Sequence, residues 1–177
     1  MAIAAVRSGE ALPEEFEELY SEHWQLVYRT AYAITGNRQD AEDVLQSIFV
    51  KLLQRGLSPE LKQSPARYLH RAAVNLSLNV LRAKRRQKLV DGVEHLDIPD
   101  RVVDEAAQER DAVHARLMDA IAHLKPRAVE ILLLHYKQDY SDAQIAKLLG
   151  TSRGTIAVTL FRIRARLKSL LRSAGSH

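Results

Sequence analysis

Residues 141–166, SDAQIAKLLGTSRGTIAVTLFRIRAR, constrain the fold more than any other stretch of the chain. Ser141 opens a helical pattern with the S-x-x-Q spacing of a capping box, in which its hydroxyl takes an orphan backbone N–H while Gln144 reaches back. Ile145, Leu148 and Leu149 then share one face, and Gly150 offers the left-handed residue that ends a helix. Thr151 or Ser152 caps a second helix, whose apolar positions Ile156, Leu160, Ile163 and Leu167 recur every three or four residues. Two short helices joined by a Gly-containing turn predict a helix-turn-helix; in the DNA-binding version the second helix enters the major groove. From Ala143 onward there are seven Lys or Arg residues and no Asp or Glu, so this end of the chain suits a polyanion. A helical hairpin with a merely solvated basic face would need neither the cap, nor the glycine, nor the one-sided charge.

The remaining bounds are broader. A chain of 177 residues has room for one large domain or two small ones. There is no cysteine, which excludes a disulfide framework, a cysteine nucleophile and thiolate zinc sites within the chain. The start, MAIAAVRSGEALPEEF, lacks a positive region before its short apolar run, so a secretory signal is not expected. No uncharged stretch is long enough to span a bilayer, and a cytoplasmic protein without membrane insertion is expected.

Along the chain, a helix is predicted from Pro13, with Phe16, Leu19, Tyr20, His23, Val27, Ala31 and Ile34 on its inner stripe. Thr35-Gly36-Asn37 stops it. A second runs from about Asp40 to Gln54, with Ala41, Val44, Leu45, Ile48 and Leu52 inward, and Arg55 to Ser64 is expected to be a loop. A third starts near Ser64 or Pro65, where proline's missing N–H costs nothing. Leu69, Ala72, Ala73, Leu76 and Val80 form its expected buried stripe, with Arg67, His70, Arg71, Asn75 and Arg82 outside. Five cations fall between Arg82 and Lys88. The composition then flips: eight acidic residues lie between Asp91 and Asp111, and residues 90–111 are expected to form an acidic linker, helical at its far end. Helices at Ala112–Leu124 and Pro126–Tyr136 precede the helix-turn-helix. The expected architecture is all-α, with helical domains at 13–89 and 112–172.

These residues carry a family likeness. Phe16-Glu-Glu-Leu-Tyr20 and the run TGNRQDAEDVLQ at 35–46 resemble the T-G-x-x-x-D-A-E-D-x-x-Q signature of bacterial RNA polymerase sigma factors of the extracytoplasmic-function type. The run ARYLHRAAVNLSLNVLR at 66–82 is similar to that family's helix for the −10 promoter element. The run LKPRAVEILLL at 124–134, followed by Ser152-Arg-Gly-Thr-Ile156, is similar to its −35-reading domain. Three motifs in one order make a specific match.

The resemblance implies a non-catalytic initiation factor without cofactor or metal, whose partners are core RNA polymerase and promoter DNA. Asp40, Glu42, Asp43 and Gln46 would dock on the clamp of the polymerase largest subunit, and the second-largest subunit is a further contact. Arg67, Tyr68, Arg71, Asn75, Asn79, Arg82, Arg85 and Arg86 would serve −10 recognition and strand opening. Melting costs roughly 1.4 kcal/mol of stacking per step, which single-strand contacts must return. Thr151, Ser152, Arg153, Thr155, Ala157, Thr159, Arg162 and Arg166 would serve the −35 element, with Arg153 at the helix start where base edges are reached. The chain departs from the family where Trp is frequent near Tyr68, Asp near Asn79, and Lys or Arg at Ala157 and Thr159. These departures bear on sequence preference, and a thymine-methyl contact from Ala157 or Thr159 is one consequence. The resemblance also admits an anti-sigma factor as partner, as in many relatives.

Two other classes compete. A conventional helix-turn-helix regulator binding an operator would need a dimerisation surface or ligand pocket, and the sequence offers no clear one. An enzyme could draw on His23, His70, His95, His114, His123, His135 and His177, but these are dispersed and no H-E-x-x-H or carboxylate cluster accompanies them.

Overall fold

In a computed structural model of the chain, the described residues are 14–91 and 105–173, with side chains described for 14–87 and 112–172. Every regular element among them is an α-helix. The chain divides inside one of these helices, between Ser77 and Leu78, into two compact units. The expected acidic linker at 90–111 falls largely outside the described residues.

The first unit begins with α1 (Glu14–Thr35), which carries Glu14, Glu15 and Glu17 in its first turn, where carboxylates oppose the positive helix end. It packs against α2 (Arg38–Arg55). Asn37 is the N-cap of α2, its side chain accepting the Asp40 N–H at 3.1 Å. Phe16, Leu19, His23, Val27, Ala31 and Ile34 are buried as expected, whereas Tyr20 is half-buried. On α2 the expected Leu45 is also only half-buried, and Phe49 takes the core position instead. Phe49 meets Phe16 edge-on at 5.9 Å and Tyr20 at 4.8 Å, an arrangement that suits the ring quadrupoles.

The stretch expected to be a loop contains a short helix, α3 (Pro59–Gln63). Ser58 caps it by accepting the Leu61 N–H at 3.3 Å, Pro59 fills the first turn, and Leu61 is buried. The long α4 (Pro65–Asp91) begins where predicted. Its buried stripe is rotated from the expected one: Leu69, His70, Ala73, Val74, Ser77 and Leu78 are buried, while Ala72, Leu76 and Val80 are half-buried. His70, expected outside, is 1% exposed. Apolar residues occupy more than half the circumference here, so periodicity alone leaves the inward direction open by about one residue.

In the second unit, α5 (Glu105–Ala122) joins the helical far end expected of the linker and the helix expected from Ala112 in one element. The run Glu105-Ala-Ala-Gln-Glu-Arg110 consists of strong helix formers, which suits that continuity. Then come α6 (Pro126–Tyr136), with Val129, Ile131, Leu132, Leu133 and Leu134 all buried, α7 (Asp142–Leu149) and α8 (Arg153–Ser173). α8 packs on α5, α6 and α7, so it is the element the others of this unit share.

Candidate nucleic-acid interface

The α7–α8 pair is built by its own local chemistry. The Ser141 hydroxyl accepts the Gln144 N–H at 3.3 Å, and Gln144 Oε1 accepts the Ser141 N–H at 2.8 Å, completing the capping box. Gly150 closes α7 in the left-handed region, at φ 64° and ψ 45°, where a Cβ would be costly. Ser152, not Thr151, caps α8: its Oγ accepts the Thr155 N–H at 3.1 Å. Ile156, Leu160 and Ile163 are buried beneath the helix. Two arginines brace the arrangement. Arg127 pairs with the buried Glu130 carboxylate at 2.7 Å and donates to the Leu149 carbonyl at 3.1 Å, tying α6 to the end of α7. Arg164 donates from Nε to Tyr136 Oη at 2.6 Å, its guanidinium 5.7 Å from the ring centroid, tying α8 to α6.

Of the residues assigned to the −35 element, Ser152, Arg153, Thr155, Ala157, Arg162 and Arg166 are exposed, and Thr151 and Thr159 are half-buried. Their hydroxyls are partly engaged within the helix. Ser152 Oγ and Thr155 Oγ1 lie 2.8 Å apart, and Thr159 Oγ1 donates to the Thr155 carbonyl at 2.7 Å. The face directly opposite Ile156, Leu160 and Ile163 carries Gly154, Val158, Phe161 and Ala165. Val158 and Phe161 are exposed and were absent from the sequence-derived set; a strict helical projection from the buried positions would have found them.

On α4, Arg67, Arg71, Asn75, Asn79, Arg82 and Arg86 recur every three or four residues along the side away from the buried stripe. Arg71, Asn75, Asn79 and Arg86 are exposed, whereas Arg67 and Tyr68 are half-buried. Arg82 and Arg85 differ from the rest, because both have partners inside the second unit. Arg82 donates from Nε to the Ala122 carbonyl and from a terminal nitrogen to the Leu124 carbonyl, each at 3.0 Å. The first is an orphan acceptor in the last turn of α5 and the second lies two residues beyond it, so the guanidinium acts as a charged cap on that helix end. Arg85 pairs with Asp119 at 2.9 Å and reaches His123 Nε2 at 2.6 Å. His123 Nδ1 lies 2.8 Å from the Asp119 carbonyl, so the network places the proton on Nδ1 and leaves Nε2 to accept.

The acidic residues of α2 sit on its outer side, with Asp43 and Gln46 exposed and Asp40 and Glu42 half-buried. Arg38 donates to Glu42 at 2.9 Å, and this hydrogen bond raises the arginine's pKa further above its ordinary value. Gln39 donates to Asp43 at 3.1 Å. Both bonds are solvent-exposed and therefore readily exchanged for a partner's basic groups.

Comparison with known proteins adds to this geometry. Residues 19–87 match the family Sigma-70 region 2, and residues 114–167 match Sigma-70, region 4. The chain is 32% identical over 165 residues to the RNA polymerase sigma-E factor of Streptomyces avermitilis, covering 93% of this chain and 88% of that one. It is 30% identical over 177 residues to the ECF RNA polymerase sigma factor SigL of Mycobacterium tuberculosis, covering 95% and 96%. The chain belongs to the extracytoplasmic-function sigma factors. Its fold is similar to that of the sigma factor RpoE of Bartonella quintana, solved in complex with the anti-sigma factor NepR (TM-score 0.53, 20% identity, 90% of this chain and 98% of that one).

As a sigma factor the chain works with core RNA polymerase and directs transcription from promoters. The two matched regions contain the acidic face of α2, the cationic side of α4 and the helix-turn-helix. No described helix is long and apolar enough to cross a membrane.

Proposed function

We propose that this sigma factor divides its work among three surfaces. Asp40, Glu42, Asp43 and Gln46 on α2 dock on the polymerase clamp; Arg67, Tyr68, Arg71, Asn75, Asn79 and Arg86 on α4 hold the opened −10 strand; α8 reads the −35 element. On this reading the chain makes and breaks no covalent bond, and it acts in the cytoplasm, where polymerase and promoter are. Arg82 and Arg85 serve −10 DNA only by releasing the end of α5, so they fit a bracing role first. An anti-sigma factor is a further partner on this reading, by analogy with the Bartonella quintana neighbour.

The observation that supports this most strongly is the helix-turn-helix itself. Its caps and buried face leave Arg153, Arg162 and Arg166 exposed, on a helix without a single acidic residue. A positive recognition helix of this kind contacts phosphates along the groove and base edges at its N-terminal end. The docking step is tested by mixing the chain with sigma-free core polymerase. Wild type is expected to form a stable assembly, and a variant with Glu42→Lys and Asp43→Lys is expected to lose it by charge repulsion. Retention of the assembly by that variant contradicts the docking assignment.

A further inference from the structure

The outer face of α8 is more apolar than its charge suggests. Phe161 is 71% exposed and Val158 49%, and both lie on the side directly opposite the buried Ile156, Leu160 and Ile163. Gly154 and Ala165 extend the same strip, and a Cβ added at Gly154 would meet nothing closer than the Ser152 hydroxyl at 3.9 Å. The strip is therefore an apolar ridge in the middle of a cationic helix, with Arg153, Arg162 and Arg166 around it. An occupant must be apolar along its centre and anionic at its edges. The DNA major groove has that character: phosphates line its rims, and each thymine projects a 5-methyl group onto its floor. The hydroxyls beside the ridge have local partners: Ser152 and Thr155 lie 2.8 Å apart, and Thr159 donates to the Thr155 carbonyl.

We infer that Val158 and Phe161 are specificity-determining residues that read thymine methyl groups in the −35 element. This places methyl reading on them rather than on Ala157 or Thr159, and it rests on the assignment of α8 as the −35 reader. The consequence is a promoter preference set by methyl positions as well as by the hydrogen bonds of Arg153.

The experiment uses reconstituted holoenzyme and a promoter it selects from random DNA. Each thymine of the −35 element, on either strand, is replaced singly by deoxyuridine, which removes only the methyl group. At one or two positions wild type is expected to lose about fourfold in affinity, the value of one buried methyl. With V158A or F161A the same deoxyuridine substitution is expected to have no effect at the corresponding position and to keep its effect at the other. Both side chains are exposed, so neither substitution disturbs the core. If every deoxyuridine template binds wild type as well as thymine does, while −35 transversions still impair binding, the methyl reading is overturned and α8 remains the −35 reader. If transversions are also harmless, the underlying assignment fails, and the inference with it. A loss with F161A that is equal on thymine and deoxyuridine templates assigns the ridge to an apolar protein partner and overturns the inference.

Discussion

The two basic helices, α4 and α8, have similar charge and use it differently. On α8, Arg153, Arg162 and Arg166 stand exposed above a buried apolar stripe, and Arg164, also exposed, is held by Tyr136. On α4, Arg82 and Arg85 are turned onto the end of α5, while Arg71 and Arg86 remain exposed. A run of cations in sequence therefore does not by itself define a polyanion site. Some guanidinium groups satisfy helix-end carbonyls and neighbouring carboxylates, and those groups brace the fold before they touch DNA. The difference arises because an arginine near an unsatisfied helix C-terminus gains a charged hydrogen bond, whereas one on an open face keeps its water until a phosphate displaces it.

That comparison can be broken at several points. The largest effect is expected where a brace guards a buried charge. Arg127→Ala leaves the Glu130 carboxylate, 3% exposed, without its 2.7 Å partner and frees the end of α7. Loss of about 2–3 kcal/mol is expected in chemical denaturation, since a buried carboxylate is left under-compensated. Unchanged stability would mean that Glu130 is satisfied without Arg127.

Next in size is Arg153→Ala, which should relax selection at one −35 position by roughly 1–3 kcal/mol and leave the others alone. Competition binding over single-position promoter variants measures this, and a uniform loss across positions would reassign Arg153 to phosphate. Arg82→Met should cost about 1–2 kcal/mol of stability through its two carbonyl bonds while leaving −10 base preference intact. Full stability combined with impaired strand opening would move Arg82 from the brace to the DNA. The smallest effect belongs to Arg166→Ala, which should weaken binding evenly across sequences and lower the slope of log affinity against log salt by about one. Sequence-selective loss there would contradict the phosphate assignment.

Helices with unambiguous punctuation were legible in the sequence. α6 runs from Pro126 to Tyr136 as read, and the capping box at Ser141 with Gly150 fixed α7. Local hydrogen bonds decide these boundaries, and the residues that make them are adjacent in sequence. The burial of His70, Val74 and Leu78 was not legible, because α4 is apolar around much of its surface and only packing selects the inner side. The engagement of Arg82 was not legible either. Its acceptors lie 40 and 42 residues away, and a carbonyl leaves no mark in sequence. At the candidate site, the arginines of α8 were visible as charge, while Val158 and Phe161 were hidden by the expectation that exposed residues on a DNA helix are polar.

The most direct test of a two-element sigma factor is start-site mapping with core polymerase, the purified chain and a selected promoter whose −35 and −10 elements are scrambled separately. Each scramble is expected to abolish initiation at the mapped start, and restoring both to recover it. Initiation at the same start regardless of either scramble, or no start-site choice with the intact promoter, would contradict the account.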